Sequence, residues 1–360
     1  MRQKTKLRSG YTTGTCAQAA AKAAGLMLVK GSLIESVSVE TPSGARLNIK
    51  IVDPKMGRNF ARCGVVKYSG DDPDVTDGIT VYAKVRYSDR KGISITGGTG
   101  VGVVTMPGLA IKVGEYAINP TPRRMIAKEV AALASEDKGV EVEISVPCGR
   151  DVAKQTFNSR LGIKGGISII GTTGIVEPRS TDAYKKSLAL NIDVLKAAGH
   201  DRIVLVFGYV GEKFCKESLG IRPESMIKIG DHVGFMIGEC VKKRIKRVLL
   251  VGHIGKLVKV SNGQLDTNIK SGDDRLNTIA RYAKLCLAGR RVMEQISAQA
   301  SAEAAVDILK KNRLTKVFDM IAKNAADKIR ALADGRLSAR CILLSLDGEE
   351  LSAYPGRSKK

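Results

Sequence analysis

Apolar and polar residues alternate with a period near two through the first part of the chain. Residues 37–39 and 45–51 follow this pattern on either side of the turn residues 41–44. Such an arrangement is typical of a β-hairpin with one exposed face. Residues 79–87 and 140–146 alternate in the same way, and this predicts a largely antiparallel sheet.

Two helices are predicted to accompany this sheet. The first begins near Thr15, is rich in alanine and ends at Gly31, where a glycine can adopt the left-handed conformation. The second has Thr121 as its N-cap and Pro122 at its first helical position, followed by apolar residues at helical spacing. Residues 1–150 are therefore predicted to form an α+β domain.

After residue 151 the pattern changes to short apolar runs, each followed by a G-x-x-G turn and then by a helical segment. Continuous apolar runs are typical of parallel strands that are buried on both faces. The runs are residues 167–170, 203–207 and 248–251, and the turns that follow them are residues 171–174, 208–211 and 252–255.

Three equivalent turns predict a doubly wound α/β domain over residues 151–360, with a Rossmann-like parallel sheet. In such folds ligands bind in a crevice at the carboxyl ends of the strands. Thr181 is predicted to cap a helix that ends at Gly199, and residues 274–335 read as successive helices before a last strand at 340–346. Tight turns without a ligand are the alternative interpretation of the glycines.

Charge restricts the partners of the chain. It has 360 residues, with 59 Lys and Arg against 36 Asp and Glu, so its formal charge is +23. Such a charge suits nucleic acid, an acidic membrane surface or an acidic small molecule, or it forms a solvated face that aids solubility. Only 4% of the residues are aromatic and Trp is absent, which argues against base stacking on single strands.

Length, cysteines and hydropathy further indicate what kind of protein this is. The length fits two domains. The seven cysteines contain no CxxC pair, which predicts reduced thiols, and with three histidines a metal held by the chain is not expected. No apolar run is long enough for a membrane span and residues 1–10 lack a secretory signal, so we expect a soluble, cytoplasmic protein without a membrane partner.

The acidic segment 70–78 has four carboxylates in nine residues, including Asp72 and Asp74. It could hold a cation, orient a ligand or supply a general base, and an ordinary acidic turn is the alternative.

The glycine-rich segment 96–103 contains Gly98 and Gly100 but lacks the full dinucleotide and phosphate-loop motifs. Classical NAD and ATP sites are therefore not expected, although glycines there let the backbone approach a bulky ligand.

Arg123 and Arg124 lie in the first turn of the second predicted helix. Positive charge at this end opposes the helix dipole at a cost of about 0.3–1 kcal/mol per charge. We therefore expect one or both arginines to contact an anion, which a guanidinium can hold with two parallel hydrogen bonds. An exposed and screened position is the alternative.

Six segments, in order along the chain, resemble the signature segments of the CbiD family. Its members are cobalt-precorrin-5B C1-methyltransferases of the anaerobic route to cobalamin and use S-adenosylmethionine. The resemblance implies the same activity, cofactor and anionic cobalt-tetrapyrrole substrate here, and it makes neighbouring pathway enzymes candidate partners and nucleic acid an unexpected one. The segments are GYTTGTCAQAAAKAA (10–24), GDDPDVTDG (70–78), ITGGTGVGVVTMPGL (95–109), NPTPRRMI (119–126), RLGIKGGISIIGTTGIVEP (160–178) and VGHIGKLVKV (251–260).

The resemblance directs the site hypotheses. A corrinoid carries many carboxylates, so arginines near a glycine-lined cleft suit it, and methyl transfer needs mainly alignment of the reacting groups. The residues predicted to bind the cofactor at strand-end turns are Gly171, Thr172, Thr173, Gly174, Gly208 and Gly252. The residues predicted to contact the corrinoid or shape its pocket are Thr12, Thr13, Gly98, Gly100, Arg123, Arg124, Arg179 and Lys256.

A proton must also leave during this conversion, and the candidates for its removal are His253, Asp72, Asp74 and Glu177. A structural role for His253 is the alternative. Family members usually carry His where this chain has Asp77 and Asn268, and Pro where it has Ser159. These departures motivate a second hypothesis, a non-catalytic carrier of corrinoid intermediates.

Overall fold

The computed structural model describes residues 7–135, 138–178, 180–268 and 272–356. The chain forms two compact units, which we call unit 1 (Met1–Thr181) and unit 2 (Asp182–Lys360). The predicted domains met at residues 150 and 151, so the observed division lies later in the chain. Residues 163–176 belong to unit 1 because they pair with its strands and contribute Ile167 and Ile169 to its core.

Unit 1 has mixed α/β structure, and the predicted α+β character of this region is confirmed. Its main sheet has the order β4-β5-β6-β9-β7, in which only the β7–β9 pair is parallel, and β2 and β3 form the predicted hairpin. The elements are β1 (Gly10–Tyr11), α1 (Thr13–Lys30), β2 (Ser36–Glu40), β3 (Arg46–Lys50), β4 (Val52–Met56), β5 (Phe60–Val66), β6 (Thr80–Ser88), β7 (Ile93–Gly97), β8 (Val103–Val104), α2 (Pro120–Val130), β9 (Gly139–Ser145), α3 (Gly149–Ala153), β10 (Ile163–Lys164) and β11 (Ile175–Val176).

Helix α1 is the centre of unit 1. Nearly every residue from Thr13 to Met27 is buried, and its small side chains let it pack against β5, β6 and α2. The hydroxyl of Thr12 accepts a hydrogen bond from the Thr15 amide, and Gly31 ends the helix at φ 68°. The predicted first helix is thereby confirmed, with its start two residues earlier.

Helix α2 differs from its prediction at the start. The N-cap is Asn119 and not Thr121, and Pro120, not Pro122, occupies the first helical position. Pro120 lacks an amide hydrogen and has a fixed φ, so the helix can begin there without losing a hydrogen bond.

The prediction of a parallel strand at residues 167–170 is wrong. Ile167 and Ile169 form only isolated bridges, to Val101 and Ile118, and both are buried in the core of unit 1. The apolar residues are buried because the segment runs beside the start of α1, where Gly14 donates to the Ile170 carbonyl at 2.8 Å. Burial on two sides gives the same sequence pattern as a central strand.

Unit 2 contains a five-stranded sheet in the order β13-β12-β14-β15-β16, parallel except for the antiparallel edge strand β16. The predicted strands at 203–207, 248–251 and 340–346 are confirmed within two residues. The elements are α4 (Thr181–Ala197), β12 (Arg202–Val206), α5 (Gly208–Leu219), β13 (Met226–Lys228), α6 (Val233–Lys242), β14 (Arg247–His253), α7 (Ile254–Ser261), α8 (Arg275–Leu285), α9 (Arg290–Ser297), α10 (Ala302–Lys311), α11 (Lys316–Leu332), β15 (Ser338–Leu344) and β16 (Glu350–Tyr354).

Helices pack on both faces of this sheet. Helix α5 covers one face through Phe214 and Cys215, and a larger cluster from α4, α6, α7, α8, α10 and α11 covers the other. None of the helices in the described residues is long and apolar enough to cross a membrane.

Candidate functional site

The strand order of unit 2 has a switch point at the carboxyl edge of its sheet. From β12 the chain passes through α5 to β13 on one side, whereas β14 and β15 lie on the other side of β12. The connections therefore diverge between β12 and β14, and α/β sheets bind ligands at such a switch point. Gly208 follows β12 directly, and Gly252 lies in β14 next to the residue that pairs with Val206.

The glycines at this edge serve different purposes. Gly208 has φ 58°, and no atom lies within 4 Å of the position that a Cβ would take, so its backbone is accessible. Gly252 instead allows close packing, because a Cβ there would overlap the ring of Phe207. Tyr209, which follows Gly208, is 72% exposed and presents an aromatic ring beside the open backbone.

A charged cluster lies at the same edge, where β13 and β14 end. The Lys256 ammonium donates to Asp231 Oδ1 at 2.5 Å, and the Thr267 hydroxyl donates to the same oxygen at 2.8 Å. Burial raises the pKa of the Asp231 carboxyl, but the hydrogen bonds from Lys256 and Thr267 outweigh this effect and lower it overall. Lys256, predicted to contact the corrinoid, is therefore already paired with a carboxylate.

His253 ends β14 and is the N-cap residue of α7, although its side chain makes no capping hydrogen bond. Burial lowers the pKa of its imidazole, and the positive charges of Lys256 and Arg275 lower it further. The ring is therefore neutral near pH 7 and can accept a proton. We use the name carboxyl-edge site for Gly208, Tyr209, Asp231, Gly252, His253 and Lys256.

The predicted turn 171–174 lies in unit 1 and not at this edge. Thr12 donates its amide to the Gly174 carbonyl at 3.1 Å, and Thr15 donates its hydroxyl to the same oxygen at 2.8 Å. A Cβ on Gly171 would overlap the Thr12 hydroxyl. The glycines of this turn are thus required for its packing against the start of α1.

The other predicted residues of this segment share its contacts. Thr13 is buried, and its hydroxyl accepts a hydrogen bond from the Ile170 amide at 2.9 Å. Thr172 and Thr173 are exposed, and the Thr173 hydroxyl donates to the Ile175 carbonyl at 3.1 Å. The structure therefore brings Thr12, Thr13 and the turn 171–174 together within unit 1.

The acidic segment contains a buried ion pair. The ammonium of Lys67, whose side chain is 2% exposed, donates to Asp74 Oδ2 at 2.8 Å, and Thr76 donates its amide and hydroxyl to Oδ1. Burial raises the pKa of the Asp74 carboxyl, but these hydrogen bonds outweigh it and lower the pKa. Asp74 is therefore an ionised structural partner of Lys67 in this geometry.

Close backbone packing also explains the predicted glycines of the 96–103 segment. Gly100 has φ 74°, and a Cβ there would overlap the Val146 carbonyl oxygen. A Cβ on Gly98 would lie 3.0 Å from the carboxyl group of Glu143. The loop thus lies tightly against β9 and the residues that follow it.

Arg123 and Arg124 have different environments at the start of α2. The Arg123 guanidinium donates to the backbone oxygens of Ile118 at 3.0 Å and Ile95 at 2.9 Å. Arg124 is exposed and donates to the Thr121 hydroxyl at 3.1 Å. Of the two, Arg124 is the one whose side chain faces solvent and can reach an anion.

The positions expected to depart from the family pattern make local hydrogen bonds, those of Ser159 and Asn268 through backbone oxygens. Asp77 Oδ1 accepts the Ser69 amide at 2.7 Å, and the Ser159 carbonyl accepts the Gly162 amide at 3.2 Å. The Asn268 carbonyl accepts a hydrogen bond from Lys259 at 3.4 Å. Among the remaining candidates, Asp72 donates its amide to the Ser69 carbonyl at 3.3 Å and Glu177 is exposed, while Arg179 lies outside the described residues.

Sequence reasoning missed Asp231, Thr267 and Tyr209. Asp231 lies 25 residues before its partner Lys256, and Thr267 lies 36 residues after Asp231. β13 has only three residues, so its strand signal is weak. The available signal was the pair of residues Gly230 and Asp231 just before helix α6, since polar residues at strand ends of α/β sheets often face ligands.

Unit 2 is thus an α/β fold with a largely parallel sheet, an open glycine turn and a charged cluster at the carboxyl edge of that sheet. Comparison with known families then identifies the family of the chain. The family model described as CbiD matches residues 1–178, and the model described as CbiD, C-terminal domain, matches residues 266–355. The chain belongs to the CbiD family.

Relatives match over almost the whole chain. It is 42% identical to the cobalt-precorrin-5B C(1)-methyltransferase of Moorella thermoacetica, over 96% of this chain and 94% of that protein. It is 38% identical to the protein of the same name from Methanocaldococcus jannaschii, over 97% of both. A crystal structure of the cobalamin biosynthesis protein cbiD from Archaeoglobus fulgidus is 34% identical, covers 72% of this chain and 82% of its own, and superposes with a TM-score of 0.39.

Proposed function

We propose that this chain is a methyltransferase that methylates C1 of cobalt-precorrin-5B to give cobalt-precorrin-6A in the anaerobic, cytoplasmic synthesis of cobalamin. The observation that carries the proposal is the 38–42% identity to the cobalt-precorrin-5B C(1)-methyltransferases of Moorella thermoacetica and Methanocaldococcus jannaschii, over at least 94% of each chain. The substrate is an anionic cobalt-tetrapyrrole, and the charge of +23 is complementary to its carboxylates.

We further propose that unit 2 is a Rossmann-like domain whose carboxyl-edge site binds S-adenosylmethionine, which supplies a methyl group activated on a sulfonium. The residues fit this cofactor in three respects. The space beside Gly208 is open, the exposed ring of Tyr209 offers a stacking surface for adenine, and the first-turn amides of α5 can bind a carboxylate. In unit 1, the exposed Thr172 keeps the turn 171–174 a second candidate.

For the corrinoid, we propose Arg124 as a direct carboxylate contact, because it is exposed and has no ion pair among the described residues. Arg123 acts as a positioning residue, since it ties the start of α2 to the Ile95 carbonyl. Thr12, Thr13, Gly98 and Gly100 shape unit 1 through their packing, and Lys256 and Arg179 remain candidate contacts.

For removal of the proton we propose His253 as the base. Its lowered pKa keeps the imidazole in the neutral, proton-accepting form near pH 7, whereas both oxygens of Asp74 already accept hydrogen bonds from Lys67 and Thr76. The proton would be taken by the imidazole nitrogen and passed to water. Asp72 and Glu177 are the competing candidates.

Titration of the whole protein with S-adenosylmethionine by calorimetry tests the cofactor proposal. Gly208→Val should abolish binding because its side chain fills the open space. Gly220→Val is the matched control: it lies at the other end of α5, has a similar φ of 64° and also has no neighbour within 4 Å. Both variants should lose about 1–2 kcal/mol of stability from backbone strain, and only Gly208→Val should lose the cofactor.

The activity itself is measured by the mass of the corrinoid product. Incubation with cobalt-precorrin-5B and S-adenosylmethionine should add one methyl group. A wild-type protein that binds the corrinoid but neither binds S-adenosylmethionine nor methylates the substrate would instead be the non-catalytic carrier.

A further inference from the structure

A second cleft lies in unit 2, at the amino-terminal edge of the parallel sheet and on the face covered by α5. It has a volume of about 450 Å³. Val204 and Ile221, which belong to the apolar cluster under α5, form part of its lining. Three arginines line it as well, and we call it the arginine cleft: Arg202, Arg222 and Arg247. The other lining residues are mostly polar, and they include the carboxylate of Asp201.

The fold places two of these arginines next to each other. Arg202 is the first residue of β12 and Arg247 the first residue of β14, and they are direct partners in the register of the two strands. The two guanidinium groups therefore concentrate positive charge at this edge of the sheet.

The acidic groups of the chain compensate this charge only in part. Arg247 forms an ion pair with Asp201, and Arg222 Nε lies 3.6 Å from the carboxylate of Glu224. The guanidinium of Arg202, in contrast, makes no hydrogen bond or ion pair with any described residue. His200 also lines the cleft, and its imidazole N–H is a further donor.

A fourth arginine adds positive charge to the same face of the sheet. Arg340 on β15 pairs in register with Leu249, which belongs to the cluster under α5. Its Nε and Nη2 atoms are buried and find no hydrogen-bond partner in the described part of the chain. Two unsatisfied donors of a cationic side chain favour an anion nearby.

We propose that the arginine cleft binds a small organic molecule that carries at least two phosphate or carboxylate groups. Arg202 and Arg222 bind the anionic groups through paired guanidinium hydrogen bonds, and Val204 and Ile221 contact the apolar part of the ligand. This site lies at the opposite edge of the sheet from the carboxyl-edge site, and the inference does not depend on the proposed methyl transfer.

Calorimetric titration of the full chain with inorganic pyrophosphate and, separately, with citrate tests this inference. The double variant Arg202→Gln/Arg222→Gln should weaken binding of the preferred probe at least about tenfold, since it removes two charge-assisted contacts. Arg290→Gln/Arg291→Gln is the matched control, because it removes the same charge from exposed positions of α9 in the same unit. Ser225→Glu, which adds a negative charge in the cleft, should weaken binding without removing an arginine.

Tighter binding of pyrophosphate would identify a phosphate ligand, and tighter binding of citrate a carboxylate ligand. The inference is overturned if the wild-type protein binds neither probe. It is also overturned if the two double variants lose affinity equally, because the binding would then follow only the net charge of the protein. The inference is likewise overturned if Arg202→Gln/Arg222→Gln binds the probes as tightly as the wild type does.

Discussion

Lys259 has a buried ammonium whose hydrogen-bond partners are backbone oxygens. It is 3% exposed and donates to the carbonyls of Thr267 at 3.3 Å and Gly272 at 3.0 Å. Burial lowers the pKa of this ammonium, while the charges of Asp273 and Asp231 oppose that effect. Lys259 thereby holds Thr267 in the position from which its hydroxyl reaches Asp231.

His253 gives a prediction on the pH dependence of stability. Its pKa is lowered from 6.5 in the folded protein, first by burial and then by Lys256 and Arg275. Below pH 6.5 the unfolded chain binds the proton more readily than the folded chain does. The stabilisation that depends on neutral His253 is therefore complete above pH 6.5 and is lost as the pH falls through the folded pKa.

Comparison of the wild type with His253→Gln measures this effect. Urea unfolding between about pH 7.5 and 5.5 should show a steeper loss of stability for the wild type, because Gln cannot take up the proton. Parallel stability curves for the two proteins over this range would show that His253 does not couple folding to pH.

At the scale of elements, the start of α1 packs directly against the segment 168–174. Gly171→Ala should destabilise the protein by about 1–3 kcal/mol, because the added methyl group overlaps the Thr12 hydroxyl and displaces the cap of α1. Thermal unfolding measures the loss.

The matched control for this prediction is Gly165→Ala. Gly165 also has a positive φ, 82°, but no atom lies within 4 Å of its Cβ position, so only the backbone strain remains. Equal losses for the two variants would mean that the contact with Thr12 contributes nothing beyond that strain.

Elements with a clear period were predictable from the sequence, and those defined by distant contacts were not. The hairpin of β2 and β3 and the helix α1 follow directly from their local pattern. The segment 167–170 has the composition of a buried strand, but its neighbours are Val101 and Ile118 rather than a sheet of unit 2. Strand β16 was missed because its place is set by pairing with β15 and not by its own pattern.

In the candidate site, too, features with a local sequence pattern were predictable and those that depend on distant contacts were not. The positions of Gly208 and Gly252 at the carboxyl ends of two strands could be predicted, because apolar runs followed by glycine turns indicate strand ends. The hydrogen bonds of Asp231 with Lys256 and Thr267 could not, since they join residues far apart in sequence. The arginine cleft depends on strand register, which a single sequence does not give.

At the scale of the whole molecule, each unit has its own hydrophobic core. The core of unit 1 forms around α1 and its sheet, and the cores of unit 2 lie on the two faces of its own sheet. A self-contained core is what a chain segment needs in order to fold alone. We therefore expect a fragment that starts at Ser180, and so keeps the whole of α4, to unfold cooperatively in urea.

The same fragment separates the proposed sites. Because the arginine cleft and the carboxyl-edge site consist of residues of unit 2, the fragment should bind both pyrophosphate and S-adenosylmethionine with the affinity of the full chain in calorimetry. If it binds pyrophosphate but not S-adenosylmethionine, the cofactor requires residues of unit 1, of which the turn 171–174 with its exposed Thr172 is the first candidate. A fragment that is unfolded by circular dichroism would contradict the independence of unit 2.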